Sequence, residues 1–236
     1  MSRLPVFSIF KREFRSFFLS PVAYIVIAVF LVATGWLFFS SFFLVGRADL
    51  RDFFSLLPIL FSFTIPAITM RLYSEEMRSG AYELLLTLPV TELHILLGKF
   101  LSALVFVMVM TLPTLSYPAF ISSAGELDWG PVAGGYIGAF LLSASFIAIG
   151  LFASALTRNQ IVSYIIGLFI CMFLTLVDKT LFFLPTALTD FLQFIGADYH
   201  FRNISRGIID SRDLIYFLSV AFLALYGTYI AARYKK

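Results

Sequence analysis

Six apolar runs divide the chain, at about 21–45, 53–70, 92–121, 132–156, 161–177 and 213–232, and the polar positions collect between them. A bilayer-crossing helix needs about 20 apolar residues, and most of these runs supply them. From 21 to 45, 53 to 70, 100 to 125 and 132 to 157 there is no Asp, Glu, Lys, Arg or His. The pattern predicts an all-α integral membrane protein, one domain over 1–236, with six transmembrane helices. Pro58 and Pro66 are expected to interrupt the second span, and Pro113 and Pro118 lie near the end of the third.

The first residues follow a different rule. Phe7, Phe10, Phe14, Phe17 and Phe18 recur at helical spacing, with Lys11, Arg12 and Arg15 between them. This predicts an amphipathic helix over 3–19 with a basic face, lying in the membrane interface against lipid. A straight extension of the first span would show the same pattern. Ser20 and Pro21 fit the start of that span. The run 22–45 is longer than the apolar part of a signal peptide, and no A-x-A site follows it, so a retained helix is expected.

Between the second and third spans lies a polar stretch, 71–90, with Arg71, Glu75, Glu76, Arg78 and Glu83. Arg71 to Ser79 has helical composition, and Gly80 and Pro89 punctuate it. Thr91 is positioned to cap the third span, with Glu92 at its positive end. A charged, punctuated helix at a membrane surface suits the reception of another protein; a solvated connector would have the same composition.

Charge orients the bundle. With both termini on one side, that side carries eleven basic residues and the other six. The positive-inside rule then predicts cytoplasmic termini and a cytoplasmic 71–90 stretch. The segment 178–212 falls outside. Leu188, Phe191, Leu192 and Ile195 repeat at helical spacing, as do Phe201, Ile204 and Ile208, which predicts two short amphipathic helices on or dipping into the outer leaflet.

Composition agrees with this picture. Hydrophobic residues make up 60% of the 236, charged ones 13%, and the mean hydropathy is +0.94. A soluble domain carries roughly 25% charge. The net charge of +3 is spread over span ends rather than gathered in a patch, so nucleic acid is not an expected partner. The single cysteine, Cys171, excludes a disulfide framework. There is no P-loop, no H-E-x-x-H and no Cys/His cluster, so neither bound nucleotide nor metal is expected in this chain. His94 and His200 fall on opposite sides and read as helix-end or interface residues. Gly134, Gly135 and Gly138 offer a small-residue face, and Ser143, Ser145 and Ser154 are expected to pack or hydrogen-bond between helices. The uncharged spans disfavour an ion-coupled carrier. Energy should come from a partner.

The stretch 71–89 resembles the E-x-x-x-G-T-x-E-x-L-L-x-x-P signature of exporter-type (type 2) ABC transporter permeases. Glu76 matches the first glutamate, Gly80 the glycine, Glu83 the second glutamate and Pro89 the proline, while Ala81 replaces the threonine. The turn 154–160 is similar to the family's second cytoplasmic turn. His200-Phe201, Arg206-Gly207 and Asp210 resemble the outer segment of the gliding-motility and nitrous-oxide-reductase-maturation subgroup.

The resemblance implies a bacterial or archaeal inner-membrane permease half, paired with a second copy or a relative. ATP and Mg would be bound by separate ATP-binding subunits, and no hydrolysis is expected here. It implies that 71–90 is a coupling helix, with Arg71, Glu75, Glu76, Arg78 and Glu83 in docking contacts and Gly80 and Pro89 setting the bend. Thr157 and Arg158 would supply a second contact. The alternative is a mechanotransmitting scaffold that drives an extracytoplasmic partner through the outer segment without moving cargo.

Overall fold

The computed structural model describes residues 5–45, 49–87, 89–180, 193–208 and 210–234. It is an all-α membrane protein with six helical segments long and apolar enough to cross a bilayer. A short helix, α1 (Pro5–Leu19), breaks at Ser20 and continues as α2 (Pro21–Val45). The Ser20 hydroxyl accepts from Val22 N at 3.4 Å.

Helix α3 (Arg51–Thr69) passes through Pro58 and Pro66 without interruption, contrary to the sequence expectation. Each proline removes one ladder bond, and both are buried by neighbouring helices that hold the two sides together. The break comes at Met70 instead. It is followed by α4 (Arg71–Ser79) and α5 (Ala81–Leu86). Helix α6 (Glu92–Thr111) begins at Thr91, whose hydroxyl accepts from His94 N while His94 Nδ1 accepts from Thr91 N. A 3₁₀ turn at Leu112–Leu115, containing Pro113, leads into α7 (Ser116–Ala124).

The most buried of the six spans is α8 (Trp129–Leu156), N-capped by Asp128. It packs against α3, α9 (Gln160–Thr180), α10 (Ala197–Ser205) and α11 (Ser211–Arg233). Close approach is possible because glycine is where neighbours touch. A Cβ on Gly134 would stand 2.3 Å from the carbonyl oxygen of Ile204, and one on Gly150 would stand 2.0 Å from Thr69 Oγ1. Serines join the helices as expected at two positions: Ser145 donates to the Phe217 carbonyl at 2.9 Å, and Ser154 bonds across to Met70. Among the described residues Ser143 bonds within its own helix, to the Phe140 carbonyl.

The segment beyond α9 departs from the sequence reading. The predicted helix around 188–195 falls largely outside the described residues. The second outer helix spans Ala197–Ser205 and turns its apolar face into the bundle: Phe201 and Ile204 are fully buried there, while Ile208 is past its end and exposed. Gly134 and Gly138 leave the space that the Phe201 and Ile204 region fills.

Candidate functional site

Two charged residues of 71–90, Arg71 and Glu76, meet α1 and α6 at one end of the bundle. On α4 the residues Leu72, Tyr73, Ser74 and Met77 face inward and Glu75, Arg78 and Ser79 face out. Gly80 follows with φ +73°, the left-handed conformation that ends a helix without strain only for glycine. The chain turns there into α5, whose Tyr82 and Leu85 are buried and whose Glu83 and Leu84 are exposed. Tyr82 packs edge-on against Tyr73; burial and the nearby Glu92 and Glu76 push its phenol up to about 12.

Glu76 does not face outward as the docking reading expected. One oxygen is 2.8 Å from Lys99 Nζ and the other 2.9 Å from Arg12 Nη2. Lys99 is fully buried, and its ammonium also donates to the Leu72 carbonyl at 2.7 Å and to Glu13 at 3.4 Å. Glu13 pairs with Arg12 as well. Burial alone would raise the Glu13 carboxyl, but Lys99 and Arg12 outweigh it and hold it below its usual value. Arg71 is also turned inward, with its guanidinium 5.3 Å over the Phe17 ring. Of the four α4 charges expected to dock, Glu75 and Arg78 remain outward.

The cluster joins three elements. Helix α1 runs along the first half of α6 through Ile9 at Gly98, Glu13 at Lys99, and Phe17 stacked on Phe106 with ring centres 4.8 Å apart. Its buried stripe is therefore Ile9, Glu13 and Phe17, at spacings of four. Of the phenylalanines that defined the helix in the sequence only Phe17 belongs to this stripe; Phe10, Phe14 and Phe18 are half-buried and Phe7 is exposed. Between α1 and α4 lies an open groove of about 440 Å³ bordered by Ser16, Arg71, Glu75 and Ser79.

A second contact fixes the root of α4. The Ser154 hydroxyl of α8 donates to the Met70 carbonyl at 2.7 Å and accepts from Tyr73 N at 3.0 Å and Ser74 N at 3.1 Å. It fills the break between α3 and α4 and supplies backbone partners that the interrupted ladder lacks. The turn after α8 is held by Asn159 N donating to Thr157 Oγ1 at 3.1 Å, with Arg158 exposed. Both sequence-predicted turns thus sit at the same end. Pro89 is exposed there too.

At the opposite end His200 is buried, not an interface residue. Its Nδ1 is 2.6 Å from Asp213 Oδ1, its Nε2 is 2.9 Å from the Phe194 carbonyl, and its ring stacks on Tyr216. Arg202 pairs with Asp178 and with Asp198, which ties α9 to α10. Burial raises the Asp198 carboxyl despite Arg202 and Lys179. Gly207 takes φ +85° and Asp210 caps α11, while Arg206 is exposed. Among the described residues no group of three or more His, Cys, Asp or Glu is placed to hold a metal.

Sequence reasoning missed Glu13 and gave Lys99 no role. The available signal was an acid inside the apolar stripe of a basic helix and a lysine inside the third apolar run. Residues 14–230 match the family described as ABC-2 family transporter protein. No curated protein matches the chain.

Proposed function

The chain belongs to the ABC-2 transporter family, and we propose that it is the permease half of an ATP-driven transporter in a bacterial or archaeal inner membrane. Two such halves, identical or related, form the pathway, and separate subunits bind ATP with its Mg. The α4–α5 corner receives the ATP-binding subunit on the cytoplasmic side, where both termini lie. The similarity of the outer segment to gliding-motility and nitrous-oxide-reductase-maturation permeases supports that narrower placement.

One observation carries the coupling reading: Lys99 bonds to α4 through Glu76 and Leu72 and to α1 through Glu13. A force applied to the outward side of α4 reaches α6 and α1 through buried ionic contacts, and reaches α8 through Ser154. Packed helices pass such a displacement on as rigid bodies. Glu75, Arg78, Glu83 and Leu84 form the exposed face that meets the partner.

The test is charge reversal at Glu75 and Arg78, followed by crosslinking to the ATP-binding subunit in native membranes and an ATPase assay on the purified complex. Loss of the crosslink and of the permease-dependent ATPase rate is expected. An unchanged crosslink and an unchanged rate would refute the assignment of α4 as the docking element.

A further inference from the structure

The α1 helix has a second face that the ionic cluster does not use. Ser8, Lys11, Arg15 and Ser16 lie along it and are exposed, and none of the four side chains makes an ion pair or hydrogen bond among the described residues. Arg12 borders the same face, yet its guanidinium is turned to Glu13 and Glu76. The two acids that reach this helix by ion pairs, Glu13 and Glu76, are already neutralised by Arg12 and Lys99. What remains is an uncompensated cationic pair, one helical turn apart, between two hydroxyls.

The ends of this face are apolar. Phe7 is 54% exposed and Leu19 73%. Beyond Ser20 the exposed surface continues on α2 as Val22, Ile25, Val29, Val32 and Trp36, an apolar stripe on the first transmembrane helix. Lys11 and Arg15 therefore sit at the polar end of a lipid-facing surface, in a shallow groove of about 510 Å³. Phosphate oxygens would accept from the ammonium and the guanidinium, which stand one turn apart, while acyl chains follow the α2 stripe.

We propose that this face of α1 binds the phosphate headgroup of an anionic phospholipid through Lys11 and Arg15. A lipid fits better than an acidic protein because the cationic pair is flanked on its own helix by the exposed Phe7 and Leu19 and directly precedes the exposed apolar stripe of the first membrane-spanning helix. Since α1 is bonded to α4 through Arg12 and Glu76, headgroup occupancy also steadies the helix on which α4 rests. Binding itself does not depend on the transport reading and is measured on this chain alone.

The experiment is native mass spectrometry of the full chain, titrated with phosphatidylglycerol and, separately, with phosphatidylcholine. The wild type should retain phosphatidylglycerol preferentially. The Lys11→Gln/Arg15→Gln variant should lose about thirty-fold in apparent affinity, as two basic residues at a membrane surface acting together would. The exchange Lys11→Arg/Arg15→Lys should keep the preference. The substitutions leave the buried stripe Ile9, Glu13 and Phe17 intact, and an unchanged melting temperature in phosphatidylcholine nanodiscs verifies the fold.

Three results would overturn the proposal. One is wild-type affinity in the double glutamine variant. Another is equal retention of phosphatidylcholine. The third is full displacement of the lipid by soluble glycerol 3-phosphate, which would make this a site for free phosphate. If the glutamine variant kept its lipid but lost an ATP-binding partner, the face would be a protein surface instead.

Discussion

Lys99 Nζ stands 3.4 Å from Glu13 Oε1 across 86 positions of sequence, and both side chains are buried. A lone buried ammonium would cost several kcal/mol. Here Glu13, Glu76 and the Leu72 carbonyl all face it. Desolvating the charges costs as much as their attraction returns, so the net stabilisation is modest; removing one partner is a different matter. The cluster therefore specifies where α1 and α4 sit on α6 more than it adds to overall stability.

Replacing Lys99 with Met should destabilise the protein by roughly 3–5 kcal/mol, because Glu13 and Glu76 lose their buried counter-charge and share only the half-exposed Arg12. The triple variant Lys99→Met/Glu13→Leu/Glu76→Gln should recover most of the loss, since no buried charge remains and Arg12, which loses both partners, is exposed enough to be solvated. Thermal melting in nanodiscs, followed by tryptophan fluorescence, measures both. Equal destabilisation of single and triple variants would mean that the lysine stem, not its charge, holds the site.

Acid should release α1. The Glu13 carboxyl titrates below its ordinary value of 4.5 in the folded protein. A lowered pKa contributes stability that is present above the unfolded value and lost as pH falls through the folded one. The melting-temperature gap between wild type and Glu13→Gln should thus be widest near neutral pH and shrink below about pH 4.5. A gap that widened on acidification would show that burial, rather than Lys99 and Arg12, governs this carboxyl.

Ser154→Ala tests the root of α4. The hydroxyl serves two backbone N–H groups and one carbonyl, all at the Met70 break. Leaving such groups buried and unpaired costs about 1–3 kcal/mol each, so a loss of at least 1–3 kcal/mol is expected. Amide exchange should speed up at Tyr73 and Ser74 before the rest of the bundle. Protection unchanged at those two amides would mean that water or a relaxed α4 replaces the hydroxyl.

The spans were legible because an apolar run of bilayer length has few other folds available to it. Thr91 was legible as a cap because a hydroxyl before Glu92 and an apolar run is a local signal. The ionic cluster was not, since each charge looks like an ordinary span-end residue until α1 is known to lie along α6. Glu13 was hidden further by the phenylalanines: Phe7, Phe10, Phe14 and Phe18 drew attention to a face beside the buried Ile9–Glu13–Phe17 stripe, and only Phe17 lies on it. His200 was misread for a similar reason. Its partner Asp213 begins α11, and nothing local links the two. Helical periodicity in 197–208 revealed an apolar face without revealing that α8 glycines would receive it.

The corner at Gly80 separates a structural role from a coupling role. Its φ of +73° would cost an alanine about 1–2 kcal/mol, while no neighbour lies within 4 Å of an added Cβ. Strain at the corner is thus the only direct effect of Gly80→Ala, and the Lys99 cluster and the Ser154 contact lie outside it. Asparagine tolerates the left-handed region better, so Gly80→Asn should be milder. The bundle should melt within a few degrees of wild type in both variants. If α4–α5 is where the ATP-binding subunit pushes, permease-dependent ATPase activity should fall clearly in Gly80→Ala and less in Gly80→Asn, because the exposed Glu83 and Leu84 are re-aimed relative to Glu75 and Arg78. A stable Gly80→Ala protein with a full ATPase response would place the coupling elsewhere, and the exposed turn at Thr157 and Arg158 would be the next element to substitute.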